Sequence, residues 1–333
     1  MTSLQDLSKN IEISISPTGN GEKASWDEFD RDSAHPANTT SYAHIYRKHL
    51  SSPVFLEARI GNQKASQWLL CKRKILRKFL QCYLFSQCGP QVMHSYAGYY
   101  DEIFSSYIQF LRHSFNPMNI LVLNHALVRG ITRTALEKSA FQNITECVPY
   151  ISRLDASDEA ILNSFHASHR NDTRKAIKEA FRYDPNVLVN QYFPLSTATY
   201  GRSGLEGHPK DYLEDLENHL VSDGKGFISG VYVEDKLVAA SIIIHHGKNA
   251  FYLHGASVSP KPRGSTTFLQ FKNMLRLRDL GVKCYDMGGA KLVENTDSKT
   301  ITLTRFKSRF GGTPSSAFEG SLFPLQKEMA GAS

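Results

Sequence analysis

The sequence predicts an α+β protein in which each half is built on a mixed, largely antiparallel central sheet flanked by helices. Three observations carry this. Strand–helix–strand order recurs in both halves of the 333-residue chain. Three strand-like runs follow one another between residues 226 and 257, joined by the turn-forming pairs Glu234-Asp235 and Gly247-Lys248. Hydrophobic residues make up 41% of the chain, enough to fill the core of one large or two medium domains.

The first ten residues are polar and read as a loose tail. Ile11 to Ser16 alternates apolar and polar side chains, the period of a half-buried strand. Ser25 is the expected N-cap of a short helix with acids in its first turn. Thr40 to Leu50 reads as a second helix. Val54 to Ile60 and Ala65 to Ile75 form a hairpin around Gly61-Asn62. Tyr99 to Phe115 is an amphipathic helix, and Asn119 to Leu127 is a strand.

A second set begins near Val148. Asp158 to Phe165 and His169 to Phe181 are helical, and Arg170, Arg174, Lys175 and Lys178 share one face of the latter. That face fits either solvent or a phosphate backbone. Val187 to Tyr192 reads as a strand and Pro209 to Asp223 as a helix. After the three consecutive strands, Thr266 to Leu280 is a helix and Val282 to Met287 a strand.

The net charge of +7 and isoelectric point near 9.0 favour an anionic partner. The five cysteines, at 71, 82, 88, 147 and 284, have no zinc spacing and suit free thiols in a reducing cytoplasm. The N-terminus lacks the apolar core of a signal peptide, and no apolar run is long enough to span a membrane. A cytoplasmic protein with no metal site is expected.

Two stretches near the C-terminal end concentrate chemistry: Tyr285-Asp286-Met287-Gly288-Gly289 and Phe306-Lys307-Ser308-Arg309-Phe310-Gly311-Gly312. Glycine pairs let a backbone approach a ligand closely, and a lysine beside them can meet a phosphate or an oxyanion. The same residues also fit an ordinary strand end and a surface lysine. The order of three antiparallel strands, the loop Lys261-Pro262-Arg263-Gly264-Ser265-Thr266, a helix and a further strand resembles a GNAT acyltransferase core. In that fold such a loop holds the coenzyme A pyrophosphate at a helix N-terminus. Here only the central glycine matches the family turn.

More of the chain resembles the Fem family of aminoacyl-tRNA-dependent transferases, in its compact, arm-less form. Thr199 to Gly204 with His208-Pro209 and Tyr212, Phe251 to Ser257, Tyr285 to Gly289 and Phe306 to Gly311 stand in the family's order, as do Trp26 to Phe29 and Gly89 to Val92. His94 and Ser95 stand where the family often has an aspartate, and the absence of a helical arm leaves the acceptor open. The resemblance implies two GNAT-like domains in tandem: residues 1–147, completed by 315–333, and residues 148–314. It implies transfer of an amino acid from tRNA to an amine of a nucleotide-linked cell-wall precursor, as in peptidoglycan cross-bridge building, or of a natural product, with no permanently bound cofactor. The tRNA acceptor end and a phosphorylated small-molecule acceptor would be the partners.

Under that resemblance Lys307 contacts the tRNA end or the developing charge. Arg202 and Lys48 hold acceptor phosphate, while Arg263 and Gly264 are the binding positions that the GNAT-like loop implies. Tyr252 lines the site, and His254, two residues along the strand and expected on the same face, is the base candidate or a core histidine. Asp286 orients Lys307 or caps a loop. The alternative is an acyl-CoA-dependent N-acyltransferase acting on an amino sugar in surface-polysaccharide synthesis. A catalytically silent RNA- or nucleotide-binding module is a third reading.

Overall fold

A computed structural model describes residues 12–18, 23–45, 52–74, 82–85, 88–114, 120–123, 131–291 and 298–322. In chain order the elements are β1 (Ile13–Pro17), α1 (Lys23–Glu28), α2 (Thr40–Ile45), β2 (Ser52–Ile60), β3 (Gln63–Lys74), β4 (Cys82–Phe85), β5 (Gln91–Val92), α3 (Tyr100–Ser114), β6 (Ile120–Leu123), α4 (Arg133–Lys138) and β7 (Gln142–Arg153). There follow α5 (Asp158–Ser164), α6 (Ala167–Lys178), β8 (Arg182–Asp184), α7 (Val189–Gly201), α8 (Lys210–Leu216), β9 (Gly226–Val233), β10 (Lys236–His246), β11 (Asn249–Ser257), α9 (Ser265–Asp279), β12 (Cys284–Lys291), α10 (Ser298–Ser308), β13 (Thr313–Pro314) and β14 (Ala317–Leu322).

The chain divides into two compact units. One draws on Met1–Glu28, Tyr46–Glu146 and Ala317–Ser333, the other on Phe29–Ile45 and Cys147–Ser316. Phe29–Ile45 thus packs with the second unit, although it precedes most of the first in sequence.

The first unit orders its strands β1-β2-β3-β4-β6-β14, with β5 against β3. The predicted hairpin is present: Gly61 takes φ +58° at the turn, and Ile60 pairs with Gln63. Apolar residues at helical spacing on α3 (Ile103, Phe104, Tyr107, Ile108, Leu111) share one core with the fully buried Trp68 of β3, whose ring meets Phe104 and Tyr107. The Trp68 indole donates to the Cys88 carbonyl at 3.1 Å, so its one polar group is satisfied. Ser25 lies inside α1, which begins at Lys23, and not at its N-cap.

The second unit orders its strands β7-β12-β11-β10-β9-β8, with β13 also on β7. Both β9 and β10 are buried almost throughout, as expected of strands covered on both faces. The β9–β10 turn is made at positive φ by Glu234 and Asp235, +49° and +58°. Helix α9 is pinned to the sheet by a polar bridge. Asn273 Oδ1 accepts from Ser229 and Tyr183, and its Nδ2 donates to Ser241 at 2.9 Å. The strand expected at Val187–Tyr192 is instead the start of α7. Val189, Tyr192, Leu195 and Ser196 are its buried stripe, a period of three to four that a six-residue window cannot separate from alternation. Among the described residues no helix is long and apolar enough to cross a membrane.

Candidate active site

The site originates in a short parallel seam. Strands β11 and β12 pair only from Asn249↔Cys284 to Phe251↔Asp286, yet β11 continues to Ser257. On the β7 side, β12 skips register between Asp286 and Gly289, and Gly288 takes φ +75° in the bulge. Asp286 Oδ1 accepts the Gly288 N–H at 2.7 Å and so fixes the bulge. Past the seam lies a cleft of about 400 Å³. Its walls come from β11 (Tyr252, Gly255, Ser257), the first turns of α9 (Thr266, Leu269, Gln270) and α10 (Thr302, Leu303, Phe306).

A second irregularity decides which β11 side chains reach this cleft. Against β10, Tyr252 pairs with Ile243 but His254 pairs with Ile242, so Leu253 is an extra residue. Ile242 and Ile243 face opposite sides of β10, so the bulge turns Tyr252 and His254 to opposite faces. The expected shared face is therefore corrected. Gly255 takes the place beside Tyr252, and a Cβ there would overlap the Tyr252 hydroxyl and ring. His254 faces α7 and α8, where its Nε2 meets the Tyr212 hydroxyl at 3.0 Å and its ring lies 4.0 Å from His208. The Tyr200 hydroxyl meets His208 in turn at 3.0 Å. Burial, with His208 alongside, holds His254 well below the usual histidine pKa. His254 is thus a neutral, hydrogen-bonded packing group on the side away from the cleft.

Lys307 is buried on α10, next to the cleft-lining Phe306. A Cβ on Gly288 would stand 3.1 Å from Lys307 Nζ and 3.5 Å from the Phe251 ring, so the glycine makes room for the ammonium. Burial lowers the Lys307 pKa to about 8, with the Asp286 carboxylate acting in the opposite direction. The Asp286 carboxylate thus caps the bulge, and its charge favours the protonated lysine. Burial raises the Tyr252 pKa, which keeps its hydroxyl protonated. The Phe306 carbonyl accepts from His169, which docks α10 on α6.

Arg202, at the end of α7, donates to the Ser257 carbonyl at 2.7 Å. Thr199 Oγ1 bridges the same strand end, donating to Ser257 O and accepting from Ser257 N, both at 3.0 Å. Arg202 is therefore an exposed side chain tied to a strand end that lines the cleft, without lining the cleft itself. Arg263 forms an ion pair with Asp172 of α6 at 2.6 Å. Gly264, at φ +90°, lies so close to the Asp172 carbonyl that a Cβ could not fit. Both are turned toward α6 and do not line the cleft. Lys48 lies outside the described residues. The basic face of α6 is largely engaged: Arg170 donates to the Asn163 and Phe165 carbonyls, Arg174 pairs with Glu159, and Lys175 with Glu179.

Sequence reasoning passed over Lys261, Thr199 and Gln270 as site residues. Lys261 lines the cleft with its ammonium 6.0 Å from the Phe306 ring centre, and desolvation lowers its pKa against the pull of Asp172. Its place opening the glycine loop was a legible signal. Gln270 looked like any mid-helix polar residue.

Residues 167–300 match the family model described as an acetyltransferase (GNAT) domain. No curated protein sequence matches the chain. Among solved structures, the crystal structure of FemX superposes with a TM-score of 0.73 at 14% identity, over 92% of this chain and 96% of that one. L-PGS from Bacillus licheniformis gives 0.58 at 12% identity, over 93% of each chain. A tandem GNAT protein from the clavulanic acid biosynthesis pathway gives 0.50 at 10% identity, over 93% of this chain and 98% of that one. The chain shares the fold of these proteins, a tandem GNAT protein among them.

Proposed function

We propose that this protein is an aminoacyltransferase. It joins an amino acid, carried as an ester on the 3′ end of tRNA, to an amine of a nucleotide-linked cell-wall precursor or natural product. The observation that carries this reading is the buried Lys307 ammonium at the Gly288 bulge, beside the open end of the β11–β12 seam. The acceptor amine attacks the ester carbonyl, a C–N bond forms, and the carbonyl electron pair moves onto oxygen. Collapse expels the ribose hydroxyl oxygen, which takes the proton released by the amine. The ester is already activated, so the protein's task is to align two substrates and stabilise the oxyanion. With a pKa near 8, Lys307 is mostly protonated at neutral pH and supplies positive charge to that oxygen. Tyr252, kept protonated, donates a hydrogen bond and does not act as the base. Arg202, exposed beside the strand end that lines the cleft, offers N–H groups to an acceptor phosphate. The fold shared with FemX supports the reading.

One observation favours an acyl-CoA donor instead. Lys261 and Thr266 line the cleft at the N-terminal end of α9, where a helix start meets phosphate. Against it, the loop arginine is tied to Asp172. Parallel titration with charged tRNA and acetyl-CoA at two salt concentrations separates the two. Salt-sensitive tRNA binding without coenzyme A binding is expected; coenzyme A binding without preference for tRNA would overturn the aminoacyl reading.

A further inference from the structure

Gln270 is 1% exposed, and the Tyr285 hydroxyl donates to its Oε1 at 2.7 Å. Tyr285 is wholly buried, and Gln270 is the acceptor its hydroxyl finds. This fixes the amide, because a flipped glutamine would leave the phenolic proton without an acceptor. Among the described residues nothing accepts from Gln270 Nε2, and that nitrogen is not one of the sealed, unsatisfied polar atoms. Thr266, Leu269 and Gln270, at helical spacing, all line the cleft. The open edge of the amide is therefore the cleft edge. The surrounding wall is mainly apolar: Ala240, Leu269, Leu303 and Phe306. The helix carrying Gln270 is held by the Asn273 bridge, so the donor is preorganised.

Resting on the acyl-transfer reading above, we infer that Gln270 is the specificity-determining residue for the transferred group. Its NH2 donates to an acceptor oxygen, hydroxyl or amide, carried by an otherwise apolar acyl group. Tyr285 is the positioning residue that keeps the donor aimed. A buried donor favours the ligand that satisfies it over the isostere that leaves it unpaired.

The test uses the full-length ¹⁵N-labelled protein. Its Gln270 side-chain amide pair is assigned by its loss in Gln270→Met and titrated with amino acid methyl esters. Threonine against valine probes the hydroxyl, and asparagine against leucine probes the amide. The oxygen-bearing ester of at least one pair is expected to shift the Gln270 amide and to bind at least about tenfold more tightly than its aliphatic partner. Gln270→Glu keeps the shape and the bond from Tyr285 but removes the donor, and should abolish the preference. Tyr285→Phe should weaken it. Equal shifts and affinities within both pairs, or no shift with any ester, would overturn the inference. Transfer assays with the same amino acids on tRNA read the parent proposal separately. A binding preference without transfer sinks the aminoacyltransferase reading and leaves Gln270 as a ligand reader. Transfer without discrimination does the reverse.

Discussion

Lys307 stands between two opposing influences: burial expels its proton and Asp286 retains it. If the ammonium stabilises the oxyanion, turnover must fall as pH rises through about 8, where the group loses its charge, and not near its ordinary 10.5. Lys307→Ala should lower kcat by at least about tenfold, equivalent to about 1.4 kcal/mol of transition-state stabilisation. Lys307→Arg should retain residual turnover without the limb near pH 8. A pH profile of kcat for the three proteins checks both points; unchanged kinetics in the alanine variant would remove Lys307 from the reaction. Gly255 and Tyr252 are coupled by contact, since a Cβ at 255 enters the space of the tyrosine ring. Gly255→Ala should therefore impair turnover, and adding Tyr252→Phe should relieve only part of the overlap. The double-mutant cycle should be clearly non-additive; additive effects would contradict the packing. Glycines and the lysine were visible in the sequence because their residue types are informative at a strand end. His254 was misplaced because one inserted residue, Leu253, reverses the face, and alternation has no signal for a bulge.

At the scale of elements, the cleft depends on how α9 begins. Gly264 combines left-handed φ with backbone contact to α6. Gly264→Ala should cost at least about 1–3 kcal/mol from the backbone conformation alone, with the clash added. A lowered Tm in thermal unfolding checks this, and an unchanged Tm would mean the loop yields freely. The three consecutive strands, α9 and β12 were legible because each is an apolar-rich run bounded by turn-forming residues, such as Glu234-Asp235, Gly247 and Gly281. The start of α7 was not: its cap is Leu188, which offers no side-chain cap, while Gln191 supplies the bond back to the Leu188 N–H. A capping signal that reads only Ser, Thr, Asp and Asn misses such a start. Pairing across the sheet, which makes the seam, is a long-range property that no local window carries.

At the scale of the whole molecule, stability should depend on pH through histidines buried without charge. His169 and His245 are each lowered to about 4, chiefly by burial, and His208 and His254 are lowered too. In the unfolded chain each takes a proton near pH 6.5. Protons therefore favour the unfolded state below that pH. The stability these groups contribute is intact above about pH 6.5 and is lost as pH falls from there toward about 4. Tm measured between pH 8 and 4 should decline over that window; a flat curve would show that the histidines accept protons in place.

The short seam between β11 and β12 also has a kinetic signature. Along β11 the edge facing β10 is paired out to Ser257, while the edge facing β12 loses its partner after Phe251. Thr199 then takes up the Ser257 N–H at the far end. Backbone amides on the unpaired edge between these points should trade hydrogen for deuterium much faster than their neighbours on the same strand. A ligand seated in the cleft should slow them selectively. Exchange mapped at single-residue resolution would then report occupancy of the site before any product is identified, and uniform protection along β11 would mean the seam closes in solution.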